Sequence, residues 1–158
     1  MSQLSQALMS EASLGRMLSE REVSRFSAQE IREAIADLVV QGRMDLASAL
    51  GDAGISLYPD TEDMLAMAAL LAESRQDWTV AEEMLAKLLL KQGAAAPVAS
   101  WQHYIRVLRC LCEWQSALMI TERALEFYPG HAALLSELYS LKAQIGDAQP
   151  MPSSDTRH

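Results

Sequence analysis

Asparagine is missing altogether from the 158 residues, and much else is scarce. There are two cysteines, Cys110 and Cys112, too few for a disulfide framework. Two residues apart on a helix, they would point about 200° from each other and could not pair. They read as buried or half-buried free thiols of a reducing compartment. Seven glycines and five prolines are too few for an all-β chain of many tight turns. Thirteen basic residues stand against 21 acidic ones, a net charge of −8, which argues against a nucleic-acid partner. The longest apolar run, residues 64–72, falls well short of the ~20 residues that cross a bilayer, so no membrane insertion is expected. No basic segment followed by an apolar one opens the chain, and the expected location is cytoplasmic.

Chemistry-bearing motifs are missing too. The sequence has no phosphate-binding G-x-x-x-x-G-K-[ST], no G-x-G-x-x-G, no H-E-x-x-H and no G-x-S-x-G. The spacing of Cys110 and Cys112 is wrong for a zinc ribbon, and His103 adds only one further ligand type. Glu82 with Glu83 and Asp60 with Asp63 read as solvated helix surface. No enzyme, cofactor or metal site is expected.

What is present is a repeat. Ile31, Leu65, Trp101 and Leu135 follow one another at 34, 36 and 34 residues. Sixteen residues after the first three come Ala47, Ala81 and Ala117, and twelve further on Pro59, Gly93 and Pro129. Eleven residues after each start lies an expected turn: Gly42, Gln76, Cys112 and Gly146. Large apolar residues follow the first three turns, Met44, Trp78 and Trp114.

Each unit reads as two helices. Ile31, Ala34, Ile35 and Leu38 have helical spacing, and Ser27 with Glu30 forms a capping box before them. Leu46, Ala47, Leu50 and Ile55 continue on a second helix. Gly51 and Gly54 in that helix each cost about 1 kcal/mol against alanine, which close packing would explain. Asp60 is the expected cap of the second unit and Asp77 of its second helix, which carries Val80, Ala81, Leu85, Leu88 and Leu89. Pro97 suits the first turn of the third unit, which carries Trp101, Ile105, Leu108, Ala117, Ile120, Ala124 and Leu125. A last helix, 131–145, would close the stack with Leu134, Leu135, Leu138, Leu141 and Ile145. Ahead of the repeats, Leu4, Ala7, Leu8, Ala12, Met17 and Leu18 suggest an amphipathic helix, and Ser19 with Glu22 a cap for a turn bearing Val23 and Phe26. The expected organisation is an N-terminal cap or arm (1–27), a repeat domain (28–146, divided 28–61, 62–97, 98–131, with a capping helix 131–146) and a disordered tail (147–158).

These units resemble tetratricopeptide repeats, whose pattern is W-x2-L-G-x2-Y, A-x3-F and P at period 34. The third unit matches best, with Trp101, Tyr104, Ile105, Leu108, Ala117 and Pro129. The first offers Ile31, Ala34, Ile35, Leu38, Ala47 and Pro59. The second offers Leu65, Ala68, Ala69, Ala72 and Ala81, with Gly93 in the proline place. Ile35 and Ile105 depart from the pattern's glycine, and Gly51, Leu85 and Thr121 from its phenylalanine. The resemblance implies an all-α fold, an α-solenoid of three helical hairpins with a capping helix.

It also implies that the first helix of each hairpin lines a groove for a partner's peptide or helix. The corresponding places are Arg32, Ala36, Val39 and Val40, then Ala66, Leu70 and Ser74, then Gln102, Arg106 and Arg109. Met64 and Met67 would add adaptable packing there, or be ordinary core. The carboxylate clamp of co-chaperone repeats is not expected. Its places hold Arg32, Ala36, Met67, Ala99 and His103, and the chain has no asparagine. The size, the acidic charge and the three repeats are also similar to the cytoplasmic chaperones of bacterial type III secretion, which hold hydrophobic export components. The function this implies is a cytoplasmic chaperone or adaptor gripping a hydrophobic segment. A scaffold subunit, or a homodimer formed through the N-terminal helix, is the alternative.

Overall fold

The structure is a computed structural model and describes residues 1–13 and 20–148. Met17, Leu18 and the expected cap Ser19 lie outside the described residues, as does 149–158 of the expected tail. Every regular element among the described residues is helical. The chain forms two compact units, Met1–Ala95 and Ala96–His158.

In the first unit, α1 (Gln3–Ser13) buries Leu4 and Leu8 and packs on α3 (Ala28–Val40). The backbone N–H of Ser2 donates to Asp37 Oδ2 at 2.6 Å, and the hydroxyl of fully buried Ser5 donates to the same oxygen at 3.2 Å. A short α2 (Glu20–Val23) buries Val23 and touches α4 (Met44–Leu57). Helices α3 and α4 form one hairpin; α5 (Glu62–Ser74) and α6 (Trp78–Gln92) form the next. Helix α5 packs against α3, α4 and α6, so a helix apolar on nearly every side is almost wholly enclosed. Met64 and Met67 are therefore core, at 1% and 8% exposure, and leave Leu70 outside at 43%.

The starts of these helices follow the sequence closely. Ser27 and Glu30 make both halves of the capping box, and Asp77 accepts from the N–H of Val80. Thr61, not Asp60, caps α5, its Oγ1 accepting from Met64 N at 3.3 Å. Asp60 instead occupies the left-handed turn, φ 63°, a conformation that aspartate tolerates better than most residues. The expected turns at Gly42, Gln76 and Cys112 all have positive φ, at 72°, 61° and 59°.

Close packing explains the mid-helix glycines of α4. A Cβ on Gly51 would collide with Leu71 Cδ1, and one on Gly54 would lie 2.6 Å from Met64 Sδ and 3.0 Å from Ile31 Cγ2.

In the second unit, α7 (Val98–Cys110) and α8 (Trp114–Phe127) form a hairpin, and α9 (Ala132–Ala148) packs on α8. Pro97 is the residue before the helix, its φ of −66° and ψ of 152° keeping it extended. Trp101 is buried and stacks on Phe127, ring centroids 5.7 Å apart, with the Arg123 guanidinium over the far ring at 5.7 Å. Trp78 and Trp114 are half buried.

Two expectations fail here. Gly146 is no turn: α9 runs through it to Ala148, and no later α-helix among the described residues requires the chain to reverse there. Cys110 and Cys112 are exposed, not buried. The helix ends at Cys110, and Cys112 lies beyond it in the left-handed turn, so the helical geometry that set them apart does not apply to the pair.

Candidate functional site: the leading-helix faces

On α3 the buried residues Ile31, Ala34, Ile35 and Leu38 leave Arg32, Ala36 and Val39 exposed along one stripe of helical spacing. Val40, beside it, is 88% exposed. On α5, Asp63, Ala66, Leu70 and Ser74 make the outward stripe, with Ala66 half buried. Arg32 Nη1 reaches Asp63 Oδ1 at 3.0 Å and ties the two stripes together. These residues thus share an outward side of the first unit. Its apolar surface is Val39, Val40 and Leu70, and Arg32 is already paired.

The second unit holds a more defined feature, a cleft of about 300 Å³ between α7 and α9. Gln102, Arg106 and Arg109, all expected on this face, line it together. Ile105, Ala133 and Leu134 supply apolar lining, with Ile105 and Leu134 themselves buried. Glu137 completes the lining and accepts a hydrogen bond from Arg109 Nη1, which also lies 3.5 Å from the Ser140 hydroxyl. The result is an apolar-floored slot with a charged rim in which Arg109 is paired with Glu137.

Sequence reasoning assigned α9 to closure alone and missed Ala133 and Glu137. The register could have found them. Leu135 stands 34 residues after Trp101, so α9 occupies a leading-helix place, and Ala133 and Glu137 match Ala99 and His103.

Among the described residues no three or more of His, Cys, Asp and Glu cluster as a metal site would require. No helix among them is long and apolar enough to cross a membrane.

Paired helices, left-handed turns at the repeat interval and a slot between leading helices define a tetratricopeptide-type helical-repeat fold. Solved structures share it. The first tetratricopeptide domain of Spaghetti (RPAP3), bound to the HSP90 peptide SRMEEVD, superimposes with a TM-score of 0.63 at 18% identity. The match covers 75% of this chain and 95% of that one. The second such domain of human RPAP3, in complex with the HSP70 peptide SGPTIEEVD, gives 0.61 at 18% identity over 73% of this chain and 94% of that one. No protein-family model and no curated protein matches the chain.

Proposed function

We propose that this chain is a protein-binding repeat module, a chaperone or adaptor that holds a hydrophobic peptide or helical segment of a partner on its leading-helix faces. The observation that carries the reading is the slot between α7 and α9, with Ile105, Ala133 and Leu134 beneath a rim of Gln102, Arg106, Arg109 and Glu137. An apolar floor supplies affinity and a few placed polar groups supply orientation, the usual division in a peptide-binding groove. The two solved likenesses, whose peptides end in Glu-Glu-Val-Asp, support a peptide as the kind of ligand. A terminal-carboxylate clamp is a poorer fit, because Arg32 is spent on Asp63 and the chain has no asparagine.

Within this reading, an acidic cytoplasmic carrier for a secretion component is the narrower form. Co-expression with a hydrophobic translocator protein tests it: the carrier should keep that protein soluble, and an adaptor should not. A homodimer through α1 is less well supported, since Leu4 and Leu8 are buried in their own unit.

Affinity capture with the wild-type chain and with Leu70→Asp and Arg106→Glu tests the module itself. A partner held by the wild type and lost by either folded variant supports the placement. Undiminished capture by both variants removes it.

A further inference from the structure

All three arginines expected on the leading-helix faces are engaged by the chain itself. Arg32 pairs with Asp63, Arg109 pairs with Glu137, and Arg106 also has an interaction of its own. In both named pairs an arginine on one leading helix meets a carboxylate on the next, 31 and 28 residues on.

The two pairs differ mainly in the exposure of the arginine. Arg32 and Asp63 are 45% and 32% exposed, so solvent screens them. Arg109 and Glu137 are 31% and 30% exposed, and their bond sits inside the slot. A partner's carboxylate seeking Arg109 must first displace Glu137. It would then leave two negative charges side by side, which like-charge repulsion disfavours. An uncharged side chain entering over Ile105 and Leu134 meets no such penalty.

We propose that Glu137 is a specificity-determining residue, occupying from within the place where an anionic group would bind, so that the slot selects an uncharged, apolar-anchored segment and discriminates against acidic ones. This rests on the reading of the slot as a protein-binding site. At Arg109 the positive charge is already met by Glu137, so an acidic group gains little there, and the matching ligand surface at that place is a neutral one.

The test uses two short probe peptides, capped at both ends and built around one leucine. They are identical except that one carries glutamates where the other carries glutamines. Each is titrated into the isotope-labelled full chain while the backbone amides of α7 and α9 are followed by NMR. The wild type should bind the glutamine peptide at least as tightly as the glutamate peptide. In Glu137→Gln, the glutamate peptide should gain about tenfold relative to the other, the scale of one charge-assisted hydrogen bond. A wild-type preference of tenfold or more for the glutamate peptide overturns the proposal, as does an unchanged ratio in the folded variant. Should the variant fail to fold, the wild-type ratio alone decides. If neither peptide moves an α7 or α9 amide, the binding-site reading itself falls and takes this proposal with it.

Discussion

Tyr58 and Tyr128 make the same hydrogen bond in two different hairpins. The phenol of Tyr58 donates to the carbonyl of Phe26 at 2.7 Å, and that of Tyr128 to the carbonyl of Ala96 at 2.7 Å, each 32 residues back. Both tyrosines sit just past the second helix of their hairpin with nearly equal backbone angles, φ −130° and ψ 59° against φ −124° and ψ 62°. Each reaches the strip of chain that leads into the first helix, and so closes its hairpin at the open end. In the intervening hairpin the corresponding residue is Gln92, which donates to Glu62 instead.

Removing either hydroxyl should therefore be felt as stability. Tyr58→Phe and Tyr128→Phe should each cost about 1 kcal/mol, the net worth of one part-buried hydrogen bond. Urea unfolding followed by circular dichroism measures this. No change in either midpoint would mean that water replaces the phenol without loss.

The helical glycines divide into two kinds. Gly146→Ala should stabilise by up to about 1 kcal/mol, since a Cβ there meets nothing within 4 Å and alanine is the better helix former. Gly51→Ala should destabilise by about 1–3 kcal/mol, because Leu71 must move to admit the methyl group. Thermal melts of the two variants should shift in opposite directions.

Leu70 and Ala81 provide a similar contrast on adjoining helices. Leu70 is 43% exposed, so Leu70→Asp should cost about 1 kcal/mol or less and keep the helical signal. Ala81 is fully buried where α6 meets its neighbours, and Ala81→Trp should abolish the folded state by overpacking. A variant Leu70→Asp without helical circular dichroism would put that residue in the core.

Acid should act locally before it acts globally. The Arg43 guanidinium donates to both oxygens of Asp45, at 3.0 and 2.8 Å, and holds its pKa down from 3.8 to about 2. Asp37 is lowered chiefly by the N–H of Ser2 and Glu30 by that of Ser27. A depressed carboxylate contributes its stability above the unfolded pKa and loses it as pH falls through the folded one. These three contributions should be constant above about pH 5 and fade below about pH 4. NMR titration of the Asp45 carboxyl should give a midpoint about 2; a midpoint at 3.8 would mean that the pair does not persist in solution.

Both thiols should react in the native state. Cys110 and Cys112 are exposed, and a chromogenic disulfide reagent should titrate two equivalents without denaturant. Protection of either until unfolding would restore the buried thiols that the sequence suggested.

The hairpins were legible because their signals are local. A capping box at Ser27 and Glu30 acts over a few residues, and the left-handed turn at Gly42 and the buried alanine Ala47 each recur in the later hairpins. The site was half legible. The resemblance to tetratricopeptide repeats put Gln102, Arg106 and Arg109 on the groove-facing side of their helix, and the slot gathers all three. The place of Glu137 was in the repeat register, but its pairing with Arg109, 28 positions away, was not legible.

Sequence by itself determined where the hairpin helices lie and that the chain reverses at Gly42, Gln76 and Cys112, since backbone preference and apolar period are carried by each short segment. Only tertiary structure decided which side of each helix is used up. Helix α5 is apolar nearly all round, and its enclosure by three neighbours buried Met64 and Met67 while leaving Leu70 outside. The same kind of choice paired Arg109 with Glu137, because burial and ion pairing depend on which surfaces the packed helices bring together, and no single segment carries that information.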